Sequence, residues 1–133
     1  MDSMYAEEIL DHYKHPRNFG QLEKPDIHVE ANNPLCGDRL SMDLVVEDGI
    51  VQDVRFSGRG CAISQASASM LTEEMLGKPL TGLAGTTRQD ILDSLGVPIS
   101  YARMKCALLS LGLLRSALAE AGISISDHIE EEE

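Results

Sequence analysis

A chain of 133 residues with 43% hydrophobic content is sized for one domain built around a single core. Its formal net charge of −11, from 22 Asp and Glu against 11 Lys and Arg, leaves no basic stripe to neutralise phosphates, which speaks against nucleic acid and favours a basic protein partner. The opening Met1-Asp2-Ser3-Met4-Tyr5-Ala6-Glu7-Glu8 has neither the basic flank nor the apolar run of a signal peptide or anchor, so a cytoplasmic chain away from membranes is expected.

Taken in chain order, Asp2 to about Lys14 places Tyr5, Ile9 and Tyr13 on one stripe, which predicts an amphipathic helix ended by His15-Pro16-Arg17-Asn18-Phe19-Gly20. Three strands are expected next. They run from Ile27 to Asn32, from Arg39 to Glu47 with Leu40, Met42, Leu44 and Val46 alternating, and from Ile50 to Ser57 with Val54 and Phe56. Asp48-Gly49 between the last two is a hairpin signal. After Gly60 the pattern turns helical to about Leu76, where Gly77-Lys78-Pro79 closes it. A short helix from Leu80 to Ala84 follows, and Thr86-Thr87-Arg88-Gln89-Asp90 reads as a cap before Ile91, Leu92 and Leu95. The last helix is expected from about Tyr101 to Ala121, apolar almost all round between Ala107 and Leu114 and therefore in the core, with Gly122 capping it. Residues 1–123 should form the domain, and 124–133, ending in four glutamates, an acidic flexible tail. Strands grouped early and helices late predict an α+β fold, with a small three-stranded antiparallel sheet covered by helices.

The chain has three cysteines, an odd number that in a reducing compartment suits metal binding or thiol chemistry better than a disulfide framework. Cys36 and Asp38 stand one residue apart, so in extended backbone both side chains project to the same side and can donate to one ion. The plainer alternative is a turn with Cys36 as a small core residue. Cys61 falls where a glycine-flanked strand end becomes a helix, and the exposed N–H groups there favour a thiolate; tight packing of Ala62, Ser64, Ala66, Ser67, Ala68 and Ser69 is the competing reading. Cys106 lies early in the last helix with Lys105 beside it. Arg103, three residues before, can lower its pKa or pair with Asp38, unless Cys106 is merely buried and both cations solvated. Three thiolates and one carboxylate can together surround a soft metal ion. None of His12, His15, His28 or His128 has a ligand spacing to a cysteine, and there is no Gly-rich phosphate loop or His-Glu-x-x-His.

Four segments taken together resemble the NifU N-terminal family, which includes IscU and SufU. They are Asp11-His12-Tyr13-Lys14-His15-Pro16-Arg17-Asn18, Asn33-Pro34-Leu35-Cys36-Gly37-Asp38, Gly60-Cys61-Ala62-Ile63-Ser64-Gln65-Ala66-Ser67-Ala68-Ser69 and Ala102-Arg103-Met104-Lys105-Cys106. The resemblance implies a SufE/NifU-like fold and a role in iron–sulfur cluster biogenesis, with sulfur received from a pyridoxal-phosphate-dependent cysteine desulfurase and product passed to recipient apo-proteins or cluster carriers. Two markers divide the family. IscU-type scaffolds carry His before the third Cys and a Leu-Pro-Pro-Val-Lys chaperone motif upstream, whereas this chain has Lys105 and Gly96-Val97-Pro98-Ile99-Ser100. Its Arg103-x-Lys105-Cys106 is similar to SufU, whose members bind zinc through three Cys and the Asp, yet it lacks the SufU insertion between the second and third Cys.

Cys36, Asp38, Cys61 and Cys106 are thus the expected ligands of a transient [2Fe–2S] cluster, with one weak bond through which it can leave. The alternative is a zinc-dependent sulfurtransferase of the SufU type, with Zn²⁺ on the same four residues. In either, Cys106 is the expected sulfur acceptor, with Cys61 second and Arg103 in electrostatic support. A purely structural zinc module is the third reading.

Overall fold

The computed structural model describes residues 3–34 and 37–123. The acidic segment 124–133 lies outside the described residues. Helix α1 (Ser3–Lys14) leads into an antiparallel sheet of β1 (Ile27–Asn33), β2 (Asp38–Glu47) and β3 (Ile50–Arg59), in the order β1-β2-β3. Helices α2 (Ala62–Met75), α3 (Leu80–Leu83), α4 (Arg88–Leu95), α5 (Tyr101–Ala107) and α6 (Leu109–Glu120) follow. The α+β expectation holds. Among the described residues no helix is long and apolar enough to cross a membrane.

The period-2 alternation of β2 sets which face is buried: Leu40, Met42 and Leu44 are fully covered, as are Val54 and Phe56 of β3. Leu113, Leu114, Ala117 and Leu118 of α6 and Ala68, Leu71 and Met75 of α2 complete that core. Asp48 and Gly49 adopt φ of 54° and 77°, the left-handed pair that a two-residue hairpin turn requires. The outer edge of β3 is covered by the segment after α1, through bonds from the Gly20 N–H to the Phe56 carbonyl (2.8 Å) and from the Phe56 N–H to the Asn18 carbonyl (2.9 Å). Further along, Thr87 caps α4 with a reciprocal capping box to Asp90.

Helix α1 packs on α2 through a polar joint in addition to its apolar stripe. Ser69 Oγ accepts the Arg17 N–H at 2.9 Å and lies 2.7 Å from Nδ1 of the buried His12. Burial, with the nearby Arg17 charge, holds the His12 pKa below its ordinary value and favours the neutral ring at its contact with the Ser69 hydroxyl. The buried stripe of α1 therefore runs through Ile9 and His12, while Tyr13, expected on that stripe, is 42% exposed.

One difference from the expected last helix bears on the site. The helical stretch steps at Leu108, whose φ and ψ of −96° and 4° separate α5 from α6. Ser67 Oγ of α2 donates to the Ala107 carbonyl at 2.8 Å and lies 2.8 Å from Ser110 Oγ. A carbonyl left without its helical partner at the step is thus satisfied by a side chain from another helix.

Candidate metal centre

Three segments converge at one end of the sheet. Asp38 opens β2 opposite Asn33 of β1, and the connection between them is drawn in by a bond from the Gly37 N–H to the Asn33 carbonyl at 2.8 Å, with Gly37 at φ +77°. Cys61 occupies the residue before α2, in extended backbone (φ −74°, ψ 173°), with no side-chain cap bond of its own. Cys106 sits near the end of α5, just ahead of the step at Leu108.

A carboxylate oxygen of Asp38 and the sulfur atoms of Cys61 and Cys106 all lie within 4.8 Å of one another. Around one tetrahedral ion, with Zn–S near 2.3 Å, ligand sulfurs stand roughly 3.7 Å apart, so small side-chain adjustments close these three onto a single metal. Among the described residues neither cysteine is disulfide-bonded. Asp38 and Cys106 are 4% and 2% exposed while Cys61 is half-buried, so approach to the cluster is over Cys61. Cys36, the remaining expected ligand, lies outside the described residues.

The carboxylate is divided between two tasks. Its Oδ1 accepts the Cys61 amide N–H at 3.3 Å, which ties the start of α2 to β2. Its Oδ2 is buried and, among the described residues, has no hydrogen-bond partner. A buried carboxylate oxygen without a donor is costly, and a cation shared with two thiolates removes that cost. The donor set therefore fits a metal of intermediate softness, zinc or iron, better than a hard cation.

Several neighbours hold this arrangement that sequence reasoning did not single out. Asn33 directs its Nδ2 toward Cys106 Sγ at 4.0 Å. The buried Ser64 hydroxyl donates to the Cys61 carbonyl at 3.1 Å and lies 3.9 Å from Cys61 Sγ. Ser64 stands one helical turn after Cys61, a spacing readable in the sequence; Asn33 is placed only by sheet register. Gly60 is packed so closely that a Cβ there would collide with Ser64 Oγ and stand 3.0 Å from Asp38 Cγ. Gly60→Ala is accordingly expected to displace Asp38 and lower zinc affinity by about 10–100-fold with the fold retained, measured by competition with a chromophoric chelator. Unchanged affinity would show that the close packing has no hold on the carboxylate. Arg103 and Lys105 are both exposed and, among the described residues, neither side chain makes an ion pair or hydrogen bond; Arg103 is not paired with Asp38.

Comparison with known proteins places this geometry in a family. The profile of the NifU-like N terminal domain matches residues 4–122. The zinc-dependent sulfurtransferase SufU of Bacillus subtilis is 39% identical, over 90% of this chain and 92% of its own. The iron–sulfur cluster assembly scaffold protein IscU of Escherichia coli K12 is 33% identical, over 87% of this chain and 92% of its own. Among solved structures, FiSufU from Fervidobacterium islandicum AW-1 superposes with a TM-score of 0.73 at 28% identity, covering 89% of this chain and 99% of that one. A nitrogen-fixing NifU-like N-terminal protein from Brucella abortus shares the fold at a TM-score of 0.73 and 23% identity, over 91% and 96% of the two chains. With a match that runs from α1 through the end of α6, and with Asp38, Cys61 and Cys106 of its motifs brought together at one end of the sheet, the chain belongs to the NifU-like N-terminal domain family.

Proposed function

We propose that this protein accepts sulfur from a cysteine desulfurase and builds a transient [2Fe–2S] cluster on Cys36, Asp38, Cys61 and Cys106. The observation that carries the reading is the Asp38, Cys61 and Cys106 cluster with its partnerless buried Oδ2, a donor set short of the four thiolates that hold a permanent cluster. The sulfur step is a thiol–disulfide type exchange. A thiolate of this chain attacks the outer sulfur of the desulfurase persulfide, the donor S–S bond breaks, and the desulfurase cysteine departs as a thiolate. We assign the attack to Cys106, with Cys61 as the more accessible alternative. The cluster is cargo, and it leaves toward a recipient apo-protein or carrier.

A second reading is favoured by one feature, the Lys105-Cys106 pair where scaffolds of the IscU type have a histidine, alongside the 39% identity to a zinc-dependent sulfurtransferase. In it Zn²⁺ occupies the same residues and stabilises the thiolate form of the acceptor. Protein purified without oxygen, then supplied with ferrous iron, cysteine, desulfurase and a dithiol reductant that brings the transferred sulfur to sulfide, separates the two. A labile [2Fe–2S] chromophore at one cluster per chain or per dimer is the expected result. Stoichiometric zinc that persists, with no chromophore, would replace the scaffold by the sulfurtransferase.

A further inference from the structure

We infer that Arg39 and Arg59 form a docking site for an acidic segment of a partner protein, on the outer face of the sheet at the end where β2 begins and β3 leads to Cys61. The two arginines face each other directly in the β2–β3 register. Like charges at directly opposed positions, with Cβ atoms about 5 Å apart, destabilise an antiparallel pair. Both side chains are exposed, and among the described residues neither makes an ion pair or hydrogen bond. In a chain with twice as many acids as bases, local compensation would have been easy to place. The neighbour on the third strand is Asn32, also without charge.

The pair borders a hollow of about 340 Å³ on the outer face of the sheet, lined also by Gln21, Glu30, Ser41 and Ser57. Its one carboxylate, Glu30, is already 3.1 Å from His28 Nε2. The two serine hydroxyls stand 2.9 Å from each other. What the hollow offers to an incoming group is therefore guanidinium donors, which match carboxylates in planar two-point contacts.

Position ties this feature to the centre. Arg39 follows Asp38, and Arg59 precedes Cys61 by two residues; on the third approach, Arg103 and Lys105 stand exposed just before Cys106. Unpaired cations on β2, β3 and α5 thus accompany each described ligand. Two guanidiniums side by side suit the carboxylates of an acidic segment better than one small anion. The net charge of −11 repels a uniformly acidic partner, but the Debye length is about 8 Å at physiological salt, so a local acidic segment feels mainly these arginines. That the segment belongs to the protein trading sulfur or cluster with the site rests on the function proposed above.

The test uses a fluorescein-labelled octaglutamate peptide, with a glycine–serine peptide as control, followed by anisotropy at low salt and at high salt. Octaglutamate is expected to bind the intact protein and be released by salt, and Arg39→Ser/Arg59→Ser to weaken it by tenfold or more. Lys14→Ser/Lys78→Ser, which removes two exposed cations elsewhere, should change it less than twofold. Zinc content and circular dichroism of both variants should match the parent. No binding to the parent, or equal weakening in the two double variants, would overturn the site. A desulfurase that binds the parent and Arg39→Ser/Arg59→Ser equally well would also overturn its docking role. A desulfurase that ignores the parent while octaglutamate binds through the arginines would count against the sulfur-transfer reading alone and uphold the acidic docking site.

Discussion

Asp38→Asn is expected to make the metal-free protein more stable and the zinc-loaded protein less tightly bound to its ion, two effects of opposite sign from one atom. In the metal-free fold, Oδ2 is buried with no donor among the described residues, so the carboxylate carries a desolvation cost without a return. An amide keeps the shape and leaves Oδ1 able to accept the Cys61 N–H. Exchanging an unsatisfied buried carboxylate oxygen for a neutral NH2 group recovers part of that cost, on the order of 1 kcal/mol of stability in the metal-free form. Loss of an anionic ligand should weaken zinc by more than about tenfold. Thermal unfolding with and without zinc, together with a chelator competition, reads both. A metal-free Asp38→Asn protein that melts below its parent would show that the carboxylate has a stabilising partner and would remove the main structural argument for a cation at the site.

The same reasoning explains why such a centre can release what it holds. A carboxylate among thiolates is the harder and more exchangeable ligand, so it is the bond that opens first for a soft metal or cluster. Asp38 is held at the start of β2 by the Cys61 amide, and Cys61 is the half-buried member over which a partner would arrive under the proposed function. Departure through Asp38 and entry over Cys61 therefore concern neighbouring points of one rim. Arg39 and Arg59 stand one and two residues from Asp38 and Cys61 along the chain, with their side chains at the hollow on the outer face of the sheet.

Local rules written into the chain were enough for most elements. The alternation of Leu40, Met42 and Leu44 set the buried face of β2, Asp48-Gly49 set the hairpin, and Thr87 with Asp90 set the start of α4. The strand–glycine–helix junction put Cys61 at the head of α2 as expected. What was not legible depends on contacts between elements distant in the chain. The step at Leu108 is stabilised by Ser67 of α2, and no local signal in an all-apolar stretch marks it. The exposure of Tyr13 goes with the packing of α1 on α2, where His12 takes the buried position against Ser69 instead. Cys-x-Asp and two single cysteines have no metal spacing between them; their chemistry allowed a shared ion and the family resemblance named them as one ligand set, but only the fold brought Asp38, Cys61 and Cys106 together. The opposition of Arg39 to Arg59 is likewise a product of register, which a one-residue slip would abolish.

Cys106→Ser should remove sulfur acceptance from the desulfurase almost entirely, while Cys61→Ser keeps a substantial part of it. A serine hydroxyl is far less ionised and less nucleophilic than a thiol, so it cannot displace the desulfurase thiolate from its persulfide. Cys106 is only 2% exposed, so the transfer needs α5 to shift far enough to admit the donor sulfur. The fold provides for this: Cys106 sits just before the step at Leu108, where Ser67 Oγ holds the Ala107 carbonyl in place of an unbroken run of helical bonds. Because Cys106→Ser should also weaken zinc by more than about 100-fold, beyond what outer-shell changes cost, the assay must be run on metal-free protein of both variants. Intact-mass measurement of the chain after one turnover of desulfurase with cysteine then counts the sulfur gained, independent of metal. A persulfide carried by metal-free Cys106→Ser at the parental level would transfer the acceptor role to Cys61, whose half-buried thiol at the head of α2 needs no such opening.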